Sequence, residues 1–157
     1  MTADTHVLGG ALAGTAFALC TNTQPLLMTG IAAVAALIPD IDTCTSRMGR
    51  KLFPVSLVLQ ATVGHRTVFH APLPYIVLSG ILMLIFPGSA VYLAAGVIGI
   101  LSHLLLDMLT VEGIPLLYPL PGRVHLLPIR TRGLVELLVR AVLLVSLFLA
   151  YKNILGV

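Results

Sequence analysis

The segment Ser102-His103-Leu104-Leu105-Leu106-Asp107 sets an imidazole and a carboxylate four residues apart inside an apolar run. On a helix that spacing brings both to one face, where they can hold one metal ion or two adjacent ones. An ionised aspartate in such a run is costly unless a partner compensates it. A metal ion is one partner; a His-Asp hydrogen-bonded pair that locks two helices together is the plain alternative. Pro39-Asp40-Ile41-Asp42 raises the same question at the end of another apolar run. A helix C-terminus favours cations, so two carboxylates there call for a positive group nearby. A divalent ion meets that need, and so would solvation or pairing with Arg47.

Gly64-His65-Arg66-Thr67-Val68-Phe69-His70 adds two imidazoles five residues apart, a poor fit to one helical face and a better fit to a turn or helix start. Arg66 between them carries the planar fork that suits a phosphate or a carboxylate. His6 is a further candidate ligand, and Glu136 a candidate ligand or general base. Asp4, Glu112 and His125 read as solvated neighbours of these groups. Cys20 and Cys44 lack CxxC spacing and read as free thiols, not as a zinc knuckle.

The elements that carry these groups must lie in a membrane. Hydrophobic residues make up 58% of the 157-residue chain and charged residues 10%, and the mean hydropathy is +1.05. Apolar stretches recur along the whole length, which argues against a soluble domain with one anchor and against a cleaved signal followed by a mature domain. The net charge of +3 reflects scarce acids more than a basic patch, so no nucleic-acid partner is expected.

Five apolar segments are legible, at 7–20, 26–38, 72–86, 90–109 and 134–155. A straight crossing takes about 20 apolar residues, so the first two are expected to be half-buried, to extend through flanking residues, or to cross a thinned bilayer. Gly9, Gly10 and Gly14, with neighbouring alanines, give the first a small-residue face suited to close helix packing. The third and fourth form a hairpin about Pro87-Gly88-Ser89. Glu136 and Arg140 in the first turns of the fifth can snorkel or pair at i,i+4. Residues 52–63 suit a surface or re-entrant helix, and the Pro- and Gly-rich residues 110–133 an irregular loop. The expected fold is all-α, a single polytopic membrane bundle over 1–157.

In this topology every carboxylate and histidine falls on one rim. Arg47, Arg50, Lys51, Arg66, Arg123, Arg130 and Arg132 share that side, whereas Lys152 lies opposite. The positive-inside rule then places the rim in the cytoplasm and the C-terminus outside.

The ordered set His6, Pro39-Asp40-Ile41-Asp42, Gly64-His65-Arg66, His70 and His103-x-x-x-Asp107, with Thr110 and Gly113, resembles the YdjM-type family of bacterial and archaeal inner-membrane proteins, described as metal-dependent hydrolases. The resemblance runs from His6 to the fifth segment. A more distant pattern is similar to the zinc-dependent phospholipase C and P1 nuclease superfamily, all-helical phosphoesterases with clustered zinc. The matching residues are His6, Asp40 or Asp42, His65 or His70, His103 and Asp107, with Glu136 a loose match. His125 is the only later histidine, where that superfamily has a second pair, so the resemblance implies one or two metals and not three.

Residues and resemblance together lead to a membrane-embedded metal-dependent hydrolase acting on a phosphoester in a lipid or lipid-linked substrate at the cytoplasmic leaflet. His6, Asp40, Asp42, His65, His70, His103 and Asp107 are the expected ligands, with zinc first among the divalent ions that suit them. Asp42 or Glu136 is the expected base. Arg66, with Arg123 or Arg130, is expected to neutralise charge on the phosphate. Two other classes compete: a small metal- or proton-coupled transporter, and a non-catalytic membrane module with a structural metal. A transporter calls for polar groups toward both faces, but the turns at 21–25 and 86–89 carry no charge and no histidine. A structural site would be closed by four protein ligands. The small-residue helix faces permit dimers without requiring them.

Overall fold

The computed structural model describes residues 1–63 and 67–156. His65 and Arg66, expected ligand and phosphate partner, lie outside the described residues. Those described form α1 (Ala3–Thr21), α2 (Pro25–Ala35), α3 (Arg47–Lys51), α4 (Phe53–Val63), α5 (Pro72–Ile85), α6 (Ala90–Met108) and α7 (Leu134–Leu155), with 3-10 turns at Pro39–Asp42, Val68–His70 and Pro87–Ser89. The protein is an all-α membrane bundle. Among the described residues there is no strand; isolated bridges, Thr110 to Ile129 and Ile114 to Val124, brace the loop between α6 and α7.

Local chemistry sets the helix ends. Pro25 and Pro72 begin α2 and α5, where their missing N–H groups cost nothing. Asn22, at φ 51, closes α1 in the left-handed conformation. Pro39 has no N–H to continue the α2 ladder, so the regular helix stops at Ala35, short of the expected 38. The chain tightens through Leu37 N–H to Val34 O and Ile38 N–H to Ala35 O, each 3.0 Å. At its other end α1 begins earlier than expected, at Ala3, which brings Asp4 and His6 into its first turn.

By length and composition, Pro25–Asp42, Pro87–Met108 and Leu134–Leu155 are long and apolar enough to cross a membrane. α1 is comparably long, about 28 Å at 1.5 Å per residue, yet it is built largely of Gly, Ala and Thr. Its position resolves the difference: it packs against α2, α6 and α7 and therefore meets protein more than lipid. The outer helices are inverted relative to a soluble protein. Leu84 on α5 is 85% exposed and Leu134 on α7 80%, as side chains facing acyl chains would be.

The small-residue face of α1 does what its composition implies. A Cβ at Gly10 would meet Ala32 O at 2.6 Å and one at Gly14 would meet Met28 O at 2.5 Å, so α1 and α2 touch through their backbones. Gly14→Leu is expected to lower stability by about 1–3 kcal/mol through overpacking, read as a fall in apparent Tm in detergent. Gly30→Ala is the control, because nothing lies within 4 Å of a Cβ there; equal midpoints for the two variants would contradict the close α1–α2 contact.

Candidate metal centre

Helix ends deliver the histidines and aspartates to one place. His6 comes from the first turn of α1, Asp40 and Asp42 from the 3-10 turn after α2, His70 from the turn before α5, and His103 and Asp107 from the last turns of α6. His6, Asp42, His70, His103 and Asp107 are buried, and Asp40 is 18% exposed. Asp107 stands at the centre. Its Oδ1 lies 3.2 Å from His6 Nε2, and its Oδ2 lies 3.7 Å from His70 Nε2 and 3.6 Å from His103 Nε2. The main-chain nitrogen of Met1 also contacts Oδ1. The His6 and His103 rings stack, with centroids 3.6 Å apart and planes 18° from parallel.

These separations are ones at which the same atoms could hold an ion. Tetrahedral zinc with bonds of about 2.1 Å spaces its donors about 3.4 Å apart. One donor set comprises His6, His103 and Asp107 and a second Asp40, His70 and His103, each within 4.8 Å of one another. The sets share His103, so the geometry suits one ion or two adjacent ones. Neither nitrogen of His6, nor Nε2 of His103, makes a hydrogen bond among the described residues, although all are buried. Buried polar atoms are nearly always satisfied, so His6 Nε2 and His103 Nε2, which face the Asp107 carboxylate in a dry interior, fit a divalent cation.

Surrounding groups orient the rings. His103 Nδ1 lies 2.7 Å from the Ala36 carbonyl. A carbonyl only accepts, so Nδ1 carries the proton and Nε2 presents its lone pair to the cluster. The regular helix α2 ends at Ala35, and the Ala36 carbonyl, which takes no N–H from Asp40, is left for His103. Asp42 Oδ2 lies 3.5 Å from His70 Nδ1, and the Thr43 hydroxyl donates to Asp42 Oδ1 at 2.9 Å. Asp42 thus sits behind His70, in the arrangement by which a carboxylate raises the basicity of a ligating imidazole. Thr110 donates to the Asp107 carbonyl at 2.8 Å and closes the end of α6.

Glu136 is brought elsewhere. Its Oε1 accepts from Thr2 N–H at 2.5 Å and from the Thr5 hydroxyl at 2.8 Å, and its Oε2 accepts from Arg132 N–H at 2.5 Å. Of the two readings, snorkelling or pairing at i,i+4, no Glu136–Arg140 pair forms among the described residues: these donors hold the carboxylate, and Arg140 Nη2 donates to Thr2 Oγ1 at 3.3 Å. Arg47 pairs with Asp4 at 2.6 Å, leaving Asp42 to His70. Glu112, His125, Arg123 and Arg130 are exposed.

A polar cleft of about 440 Å³ leads in from the rim, and both Met1 and Asp40 line it. An apolar groove of about 950 Å³ follows α2 from Gln24 to Ile38 and ends two residues short of Asp40. The sequence reading overlooked the Ala36 carbonyl, whose only sequence signal is Pro39, and the arginines of the cleft, of which Arg47 and Arg50 are marked only by closely following Asp42.

The whole chain, residues 1–157, matches a family model described as YdjM inner membrane protein. It is 41% identical over 143 residues to YvsG of Bacillus subtilis, described as uncharacterized, covering 90% of this chain and 88% of that protein. It is 35% identical over 137 residues to the inner membrane protein YdjM of Escherichia coli, covering 80% of this chain and 69% of that one. A Shigella flexneri protein of the same description matches equally well. No solved structure matches the chain.

Proposed function

This chain belongs to the YdjM inner membrane protein family, and from that premise we propose that it is a membrane-embedded metal-dependent hydrolase that cleaves a phosphoester in a lipid or lipid-linked substrate. One observation carries the reading: the buried His6, His103 and Asp107, with two imidazole nitrogens of His6 and one of His103 lacking hydrogen bonds, sit beside a polar cleft that shares Asp40 with the cluster. A staple that only held helices together would have no need of such an opening.

His6, His103 and Asp107 would hold one divalent ion, and His70 with Asp40 a second beside it, zinc first among those that suit the donor set. An ion held there lowers the pKa of a bound water and polarises a phosphoryl oxygen. Asp42 fixes the His70 ring from behind. With one ion on His6, His103 and Asp107, Asp40, the half-buried member of the cluster and a wall of the cleft, is placed to take the proton of an attacking water; Glu136 is not, since both its oxygens are occupied. The apolar groove beside α2 supports a substrate whose hydrocarbon part stays in the bilayer while its polar end reaches Asp40. The rim carries the arginines and so would face the cytoplasm, with α1, α2, α5, α6 and α7 crossing and the C-terminus outside.

The test is metal analysis of the purified protein beside turnover of bis-(p-nitrophenyl) phosphate and of phospholipid in nanodiscs, before and after chelation. The expected result is one or two ions per chain and turnover that falls at least about 100-fold on chelation and returns with zinc. Stoichiometric metal with no phosphoester turnover would leave a structural site in place of the enzyme, and a protein that binds no metal would end both readings.

A further inference from the structure

Resting on the hydrolase reading and extending it to the substrate, we infer that the polar cleft is an anion subsite in which Arg50 and Arg132 seat a phosphate group against the metal centre. The cleft is lined by Arg47 and Arg50 of α3, by Arg132 from the turn before α7, by Thr45 and Thr131, and by the carboxylates Asp4, Asp40 and Glu112. Arg47 and Arg50 lie three residues apart and so share a helix face. Asp4 already compensates Arg47. The side chains of Arg50 and Arg132 form no ion pair with any described residue, yet they border the same space as Asp40. Two guanidinium forks beside hydroxyls, neither drawn into an ion pair by the cleft's own carboxylates, are a donor surface for a tetrahedral dianion, which offers more acceptor oxygens than a carboxylate.

The position of Arg132 is built, not incidental. Its φ is 65, a backbone conformation that glycine adopts freely and other residues adopt at a cost. The buried Glu136 holds it there by accepting the Arg132 N–H. Glycine would relieve that strain, and what arginine adds is a cation at the mouth of the cleft. A volume of about 440 Å³ suits a phosphate-bearing headgroup, and the polar walls exclude an acyl chain, which has the α2 groove.

A free phosphate and a lipid headgroup present the same chemistry, so the experiment carries both. Calorimetric titration of inorganic phosphate into the zinc-loaded full-length protein would compare wild type, Arg50→Gln, Arg132→Gln and the double variant, with zinc content and apparent Tm measured for each. Phosphatidic acid in nanodiscs, with phosphatidylcholine as reference, serves as competitor. We expect about a 10-fold loss of phosphate affinity per arginine and about 100-fold for the pair, with zinc content unchanged. Arg123→Gln and Arg130→Gln, on the same rim but outside the cleft, should leave affinity alone. Competition by phosphatidic acid identifies a lipid phosphate as occupant, and its failure to compete identifies a soluble one; both keep the subsite. Unaltered affinity in a folded double variant, or wild type that binds neither probe, overturns it. Failure of the hydrolase reading looks different, as phosphate binding that still depends on Arg50 and Arg132 in a protein that holds no zinc.

Discussion

Asp107→Asn is expected to empty the metal centre and leave the helix bundle folded. The carboxylate is the hub of the cluster, with the ring nitrogens of His6, His70 and His103 each within 3.7 Å of one of its oxygens. An amide of the same shape keeps the packing at the end of α6 but is a neutral and much poorer ligand for a divalent ion. Zinc content should therefore fall from stoichiometric to near zero at micromolar metal, and turnover should fall by about 1,000-fold or more with loss of the ion's contribution. A ligand that binds only the folded state stabilises it by about 2.7 kcal/mol at 100 times its Kd. Wild type should accordingly show a zinc-dependent rise in apparent Tm, and the variant none. The reading fails if Asp107→Asn keeps the full zinc complement and the same thermal shift, because Asp107 would then be only a hydrogen-bonding partner between helices. His103→Ala should give the same metal loss, since both donor sets use His103.

How much of this centre was legible beforehand follows from what each residue needs to be placed. His103 and Asp107 need only the periodicity of one helix, and their shared face was readable from spacing. Bringing His6, Asp40 and His70 to them needs the topology, and short turns at 21–25 and 87–89 constrain it well, because each returns the chain to the same rim. What spacing does not encode is direction on irregular backbone. Asp40 and Asp42 sit two residues apart on a 3-10 turn, and one faces the cleft while the other supports His70. The Ala36 carbonyl becomes a partner of His103 because α2 ends at Ala35 and the chain passes into the 3-10 turn at Pro39–Asp42, so that it takes no N–H from Asp40. The arginines show the same limit. Arg123 and Arg130 are as basic as Arg132, but which of them borders the cleft depends on the path of an irregular loop pinned by a pair of isolated bridges. The helix bundle was easier, since lipid demands that long apolar stretches satisfy their own backbones as helices. α1 was the exception in its bounds, because its Gly- and Thr-rich surface meets protein and its polar first turn belongs to the site.

Glu136 divides two ideas of the rim, and its substitution separates them. Read from the sequence as a general base, it predicts that Glu136→Gln lowers turnover at unchanged stability. Read from its contacts, it is a clamp, with one carboxylate accepting from Thr2 and Thr5 at the head of α1 and from Arg132 before α7. An amide keeps one accepting oxygen but turns an NH2 group toward a main-chain N–H, so at least one buried hydrogen bond is replaced by two opposed donors. Leaving a buried donor unsatisfied costs about 1–3 kcal/mol, and bonds to a charged acceptor stand toward the upper end of that range. Glu136→Gln is therefore expected to destabilise by about 2–4 kcal/mol, visible as a lower apparent Tm in detergent, and Glu136→Ala by more. Zinc content per folded molecule should survive, because no ligand is removed, while phosphate affinity should weaken as Arg132 loses its anchor. Unchanged stability with lost turnover would restore the general base. The expected pattern instead ties the head of α1, which carries His6, and the turn that carries Arg132 to a single carboxylate, so that the proposed metal ligands and the proposed anion cleft would be held in register by a residue that takes part in neither.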